Sequence, residues 1–446
     1  MTRWKIVAGA AAVLLLIIGY GAFALVWRPA IAAVTPPSPA SFQPDLIRRG
    51  RELAAIGNCN TCHTVRGGRD FAGGLPVPTP FGTIFSTNIT PDPDSGIGGW
   101  PEAAFRRAMR AGVDRDGHHL YPTFPYDHFT SISDADDQAL YAFLMTREPV
   151  RAPARANEIS FPYDQRWLIA GWKLLFLRQG TYRAEPDKSA EWNHGAYLVE
   201  GLAHCGACHT PRNALGAERA SASFSGGEVD NWLAYAINTR SPAPVHWDRE
   251  ALISYLRQGW HADHGTARGP MAEVVSNLSS VPASDVADIA TYMADVFGPS
   301  PGGRKEPPAA QQDVAGSPAD PGAAIYAAAC AGCHESARPL PYGGVDLARS
   351  SALHASDPRN LANIVMSGVQ PVAGESSPIM PGFGNSMDDG QITALLTYLR
   401  ARFAKAQAWT NVEEIVKQAR QTQTADLQTS AGPQNAPADA AQRDKP

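Results

Sequence analysis

All six cysteines of the 446-residue chain fall in three copies of one pattern. The copies are Cys59-Asn-Thr-Cys62-His63, Cys205-Gly-Ala-Cys208-His209 and Cys330-Ala-Gly-Cys333-His334. Composition alone would give far fewer than one such match, so the spacing carries a chemical purpose. Two thiols with two residues between them lie on one side of a helical turn, where they can add to the two vinyl groups of a haem. The histidine behind them then reaches the iron as its proximal ligand. Other uses of paired cysteines fit poorly. A thioredoxin-like pair occurs once and needs no histidine. A zinc site would bring two such pairs together at short, regular spacing. Structural disulfides do not ask for a histidine after every pair. The pattern implies three covalently bound haem c groups, anchored by Cys59, Cys62, Cys205, Cys208, Cys330 and Cys333, with His63, His209 and His334 on the metal.

The open face of each haem needs a sixth ligand. The chain repeats an amphipathic segment near the end of each unit, "SDADDQALYAFLM", "PASDVADIATYMADV" and "MDDGQITALLTYLRARF", each opened by Ser or Asp. Aligning these segments equates Phe143, Tyr292 and Tyr398. In that register Met271 lies 21 residues before Tyr292, and Met380 lies 18 before Tyr398. Both methionines sit in loop sequence, and a loop thioether is a soft neutral ligand that favours ferrous iron. The first unit has Phe124 at this position, 19 before Phe143, and phenylalanine cannot bind iron. The nearest donor is His128, with His118, His119, Met109 and Met145 farther from register. The expected metal ligands are therefore His63, His209, His334, Met271, Met380 and His128.

These sites need small helical units to hold them. A chain of this length exceeds one hydrophobic core, and Gly 40 with Pro 37 indicates much loop between short elements. The expected fold is mainly α, with three tandem cytochrome c-like domains after an N-terminal transmembrane anchor. The boundaries read as follows: 1–28 anchor or signal, 45–150 first domain, 151–190 linker with a bridging helix. Then come 191–298 second domain, 299–321 Pro/Gly linker, 322–404 third domain and 405–446 a tail, disordered from about Gln421. The net charge of −5, with no long basic patch, excludes a nucleic-acid partner.

The uncharged run Ile6–Trp27 follows Arg3 and Lys5 and matches the ~20 residues needed to span hydrocarbon. A cleaved signal is the alternative, with a shorter apolar region and "AIAA" at Ala30–Ala33 for a peptidase. Length favours the retained anchor. Haem attachment of this type is completed outside the cytoplasmic membrane, so the globular part should face the periplasm. The apolar stretch Trp167–Leu177 is too short to cross, and reads as a packed bridging helix or a contact surface. Neither a phosphate-cradling glycine loop nor a recognisable nucleophile–base arrangement is present, so substrate chemistry is not expected from this chain. The acids of "PDPDSG" and "DRDG" lack a calcium loop's ligand count. The arginines of "FRRAMRAG" suit haem propionates or a solvated face.

The stretches "WNHGAYLVEGLAHCGACHTPRNALG", "FSTNITPDPDSGIGGW" and "LYPTFPYDHFTSISDADDQALYAFLMT" resemble the three-haem cytochrome c subunits of bacterial membrane-bound dehydrogenases. The likeness runs from about Leu46 to Phe403. It implies an electron-transfer subunit that passes electrons from a catalytic partner, oxidising an alcohol or aldehyde, to ubiquinone in the cytoplasmic membrane. In quinoprotein alcohol dehydrogenase and gluconate dehydrogenase relatives, methionine typically takes the place of Phe124. "YPTFPYDHF" is more similar to cytochromes that accompany molybdenum hydroxylases, such as membrane-bound aldehyde dehydrogenase and isoquinoline oxidoreductase. The partner is then a molybdenum hydroxylase with its iron–sulfur subunit, or a quinoprotein. The other function class is a stand-alone membrane-tethered multihaem carrier that feeds a terminal oxidase or peroxidase.

Overall fold

The computed structural model describes residues 2–299, 320–370 and 377–430. The chain opens with helix α1 (Thr2–Val26), many of whose side chains lie outside the described residues. Among the described residues no helix is long and apolar enough to cross a membrane. One small helical unit then recurs. The first copy comprises α2 (Pro44–Ile56), α3 (Cys59–His63), the hairpin β1 (Pro76–Thr79) and β2 (Gly82–Phe85), α4 (Glu102–Ala111), α5 (Tyr126–Phe129) and α6 (Asp134–Met145). Strand β3 (Glu158–Ile159) pairs with β2, and α7 (Leu168–Phe176) bridges to the second copy.

The second copy runs through α8 (Ala190–Tyr197), a π turn Leu198–Leu202, α9 (Gly206–His209) and the hairpin β4 (Gly227–Val229) with β5 (Trp232–Ala234). It continues with α10 (Arg249–Gln258), the hairpin β6 (Trp260–His261) with β7 (Gly265–Thr266), α11 (Pro270–Ser279) and α12 (Ala283–Phe297). The third holds α13 (Pro321–Ala329), α14 (Ala331–His334), α15 (Ser351–His354), α16 (Arg359–Ser367) and α17 (Asp389–Leu399). Ser133 caps α6 and Asp388 forms a capping box on α17, whereas α12 starts behind Pro282 without a side-chain cap.

What makes the three copies one design is a helix crossing just ahead of each cysteine pair. Helix α2 packs on α6, α8 on α12 and α13 on α17. Each crossing is built on a glycine. A Cβ on Gly50 would lie 1.9 Å from the Ala139 carbonyl oxygen, one on Gly195 2.0 Å from that of Asp288, and one on Gly322 2.3 Å from that of Ala394. The same three Cβ positions fall 2.7, 3.0 and 2.7 Å from the Cβ atoms of Phe143, Tyr292 and Tyr398. These are the aromatics that the repeated segments bring into register. A glycine costs a helix about 1 kcal/mol relative to alanine. Here that cost is offset because only a bare Cα lets the backbones approach so closely.

The first two copies share a single hydrophobic core. Leu53, Ile56, Ile132 and Leu140 of the first join Leu198, Leu202, Val286 and Ile289 of the second, and Leu202 packs directly against Gly57. The interior of residues 45–150 is thus continuous with that of residues 191–298. The third copy has its own core around Tyr326, Leu353, Ile392 and Leu396. Helix α18 (Val412–Ser430) seals that core with Val412, Ile415, Val416 and Ala419, so the expected disordered tail is helical through Ser430. Residues 431–446, and nearly all of the expected 299–321 linker, lie outside the described residues.

A polar seam joins the second and third copies. Buried Asn360 donates from Nδ2 to the Leu233 carbonyl at 2.9 Å and accepts the Leu233 N–H at 2.8 Å, standing in for a strand beside β5. Asn363 donates to the Asn231 carbonyl at 2.9 Å, and Arg359 pairs with Glu228 at 3.2 Å.

Gly322→Ala tests the crossing. It should gain about 1 kcal/mol of helix propensity yet lower stability by about 1–3 kcal/mol net, read as an earlier urea midpoint.

Candidate functional site

Each cysteine pair is carried on a short helix that follows the glycine crossing, so the crossing fixes where the thiols point. None of the six cysteines is in a disulfide. Burial pushes the Cys59 and Cys205 thiols up to about 12, and the Cys208 and Cys330 thiols up to about 11. Such thiols are protonated at neutral pH, the opposite of the lowered values of reactive redox pairs.

The histidines behind the pairs share one arrangement. His63 donates from Nδ1 to the Thr87 carbonyl at 2.6 Å, His209 to that of Tyr235 at 2.7 Å, and His334 to that of Val345 at 2.9 Å. Thr87 and Tyr235 lie just past β2 and β5, so each hairpin exists to deliver one carbonyl. With Nδ1 carrying the proton, Nε2 keeps its lone pair, the state an iron ligand requires. Burial also holds His63 and His209 below the ordinary histidine range, which keeps them neutral. Glycines guard this geometry: a Cβ on Gly73 would meet the Thr87 carbonyl carbon at 2.4 Å, and one on Gly344 would meet His334 Nδ1 at 2.6 Å.

A cavity of about 790 Å³ connects the second and third sites. Cys205, Cys208 and His209 line it with Met271, and Cys330, Cys333 and His334 line it with Met380. Trp232 and Trp247 form part of its wall. Both methionines are pinned by backbone. Gly269, at φ +57°, lies so close to the Trp232 indole that a Cβ would sit 2.5 Å from the ring, and this strained residue launches α11 at Pro270-Met271. Met380 exchanges two hydrogen bonds with Val369, at 2.8 and 3.0 Å. Two buried polar groups on the wall have no protein partner among the described residues: Arg268 Nε and the His264 ring. Buried donors of this kind await an acceptor. An apolar cavity with a few such donors suits a porphyrin whose rim carries two carboxylates, so the residues present fit haem.

In the first site the structure reproduces the register that put Phe124 opposite Met271. Gly112 and Gly259 end α4 and α10 in the left-handed conformation. Each accepts a 2.7 Å hydrogen bond, from Leu120 N and Ala267 N respectively, and Phe124 and Met271 follow four residues later. Met109 and Met145 are core residues, 5% and 1% exposed. His118 is exposed beside Asp114, and His119 donates from Nε2 to the Val26 carbonyl.

His128 is placed elsewhere than expected. It leans on the second site, not the first: its Nδ1 bonds the Glu200 carbonyl at 2.8 Å, its Nε2 bonds Glu218 at 2.8 Å, and its ring touches Gly206. Both ring nitrogens are committed to groups of the second copy, so neither is free for an iron at the first. Burial opposes its charge, but the Glu218 hydrogen bond and the Glu218 and Asp127 carboxylates overcome this and hold His128 at about 9. Other contacts bind the first two sites together. Asn277 of α11 donates to Asn58 Oδ1 at 2.8 Å and Thr61 Oγ1 at 3.1 Å, and so grips the first cysteine turn. The arginines of "FRRAMRAG" are engaged away from these sites, Arg106 with Glu102, Arg107 with backbone carbonyls and Arg110 with Asp134 and Asp137.

Three cysteine–histidine turns with poised imidazoles, on repeated helical units, define a c-type cytochrome. Residues 317–399 match the family described as cytochrome c oxidase, cbb3-type, subunit III. The chain is 47% identical to one of the nicotinate dehydrogenase subunits of Pseudomonas putida over 90% of its own length, but spans about a third (34%) of that relative. It is 34% identical to the fructose dehydrogenase cytochrome subunit of Gluconobacter japonicus, covering 87% of this chain and 85% of the relative. It is also 34% identical to the cytochrome c subunit of alcohol dehydrogenase (quinone) of Gluconobacter oxydans, covering 80% and 78%. The chain belongs to the family of cytochrome c subunits of dehydrogenases, and its haem c is covalently bound.

The His128–Glu218 pair gives a pH dependence with a definite sign. The raised His128 value means its contribution is fully present below about 6.5 and is lost as pH rises through about 9. Glu218, held low by His128 against burial, contributes down to its own lowered value. In thermal unfolding, the stability difference between the wild-type chain and Glu218→Gln should therefore shrink between pH 6.5 and 9. At pH 6.5 that difference should be about 2 kcal/mol.

Proposed function

We propose that the chain holds three haem c groups and relays electrons singly from a catalytic dehydrogenase subunit to ubiquinone. The observation that carries this reading is the threefold recurrence of an imidazole fixed through Nδ1 by a backbone carbonyl behind a cysteine pair. Bound haem iron supplies reversible one-electron chemistry, tuned by its axial ligands. The chain's own residues do the rest. Cys59, Cys62, Cys205, Cys208, Cys330 and Cys333 anchor, His63, His209 and His334 ligate, and Met271 and Met380 offer thioethers to the second and third irons. Phe124 denies the first site a sulfur in the matching register.

The second site is the hub of the relay. It touches the first through the Asn277 contacts and shares a cavity with the third. In this reading the units divide as 45–150, 191–298 and 322–404, α1 anchors the chain in the bacterial cytoplasmic membrane, and the globular part faces the periplasm. The likeness to cytochromes of molybdenum and quinoprotein dehydrogenases supports an aldehyde- or alcohol-oxidising partner.

Full-length chain made in a host competent for cytochrome maturation should gain the mass of three haems. Membranes that also contain the catalytic subunit should reduce those haems when substrate is added. A gain of fewer haems, or reduction that does not depend on that subunit, would count against the reading. Phe124→Met should raise the midpoint potential of one haem only, within the roughly 0.8 V range that axial ligands span.

A further inference from the structure

The segment after α1 is bound tightly to the first unit. His119 donates to the Val26 carbonyl at 2.9 Å, Arg107 to that of Pro29 at 2.6 Å and Ile31 N to that of Arg115 at 2.8 Å. Val34 N reaches the Gly99 carbonyl at 3.0 Å. Gly117 lies so near the Arg28 carbonyl that a Cβ would sit 2.1 Å from its oxygen. Helix α1 therefore leaves the globular part at one fixed place.

Helix α7 stands at that place. It contacts α1, and the same His119 that holds Val26 accepts a 3.0 Å hydrogen bond at Nδ1 from Lys173 of α7. Lys173 is 9% exposed and also donates to the carbonyls of Ala111 and Gly112, capping α4 where the helix dipole is negative. Ile169, Ala170 and Trp172 fill the rest of the inner face. The outer face is the reverse of a water-soluble helix. Trp167, Leu174 and Leu175, at positions i, i+7 and i+8, are 56%, 65% and 57% exposed, and Phe161 and Tyr163 stand exposed just before them. Single exposed apolar residues are ordinary, but a tryptophan–leucine face on a rigidly held helix is not. Its continuation across to the end of α1, where Tyr20, Phe23 and the following Trp27 are also exposed, names the covering material.

We propose that α7 lies in the interfacial layer of the bilayer that receives α1, with Trp167, Leu174 and Leu175 turned into lipid. This rests on the reading of α1 as a membrane anchor. The first haem site would then ride at a fixed height above the membrane, gripped by two adjacent elements.

The test uses the full chain, without partner subunits, in vesicles of phosphatidylethanolamine and phosphatidylglycerol that carry a photoactivatable group in the acyl chain. Adducts are expected on α1 and on peptides within Trp167–Arg178. The double variant Leu174→Glu/Leu175→Glu should keep its Soret spectrum and its α1 adducts while α7 labelling falls about ten-fold. Labelling of α1 alone in the wild-type chain overturns the proposal and leaves the anchor standing. Labelling of neither element overturns the anchor reading as well. Equal α7 labelling in the double variant, or loss of wild-type α7 labelling when the catalytic subunit binds, assigns the face to something other than lipid and overturns the proposal.

Discussion

The close crossing of two helices over a glycine is the constraint on which each unit depends. Gly50, Gly195 and Gly322 bring the leading helix against the closing helix at a separation no side chain permits. The cysteine turn begins eight to ten residues further on, so its direction is set by that contact. Hairpins and loops then bring a carbonyl to the imidazole and, in two of the units, a methionine to the lining of the same cavity. The chemistry is supplied by few atoms, and most of the chain serves to hold them.

The two boundaries between units are made differently. Between the first and second the joint is apolar, with Leu198 and Leu202 buried among residues of the preceding unit. Polar contacts are set into it where they touch the sites: Asn277 on the first cysteine turn and the His128–Glu218 pair beside the second. Between the second and third the joint is a seam of amides and ion pairs, with Asn360 completing the hydrogen bonding of β5. A buried amide left without its partner costs about 1–3 kcal/mol, so this seam is specific although it is small.

Much of the site could be read directly. Cysteine spacing marked the three turns whose imidazoles the structure holds alike, and the closing-helix register singled out Met271 and Met380, which line the cavity. That register has a physical basis, because Phe143, Tyr292 and Tyr398 all pack on the crossing glycines. The glycines themselves were visible in the chain, but a glycine in a helix has no periodicity to announce it. The carbonyls of Thr87, Tyr235 and Val345 were not legible, since any residue has one and only tertiary structure aims it. His128 was misplaced because distance along the chain to Phe124 was used as a guide. Its partner Glu218 lies ninety residues away, and burial with that charge decides where the ring goes. Helix α18 was missed because Val412, Ile415, Val416 and Ala419 are a thin apolar stripe in a polar composition.

The common interior of the first two units bears on how the protein is made. A chain emerging from its N-terminus exposes the first cysteine turn long before Leu198 and Leu202 exist to fill the space beside Ile56 and Ile132. Until then the first unit lacks part of its own floor. Cys59 and Cys62 are therefore less tightly held before the second unit folds than after it, when Leu198 and Leu202 close the space beside them.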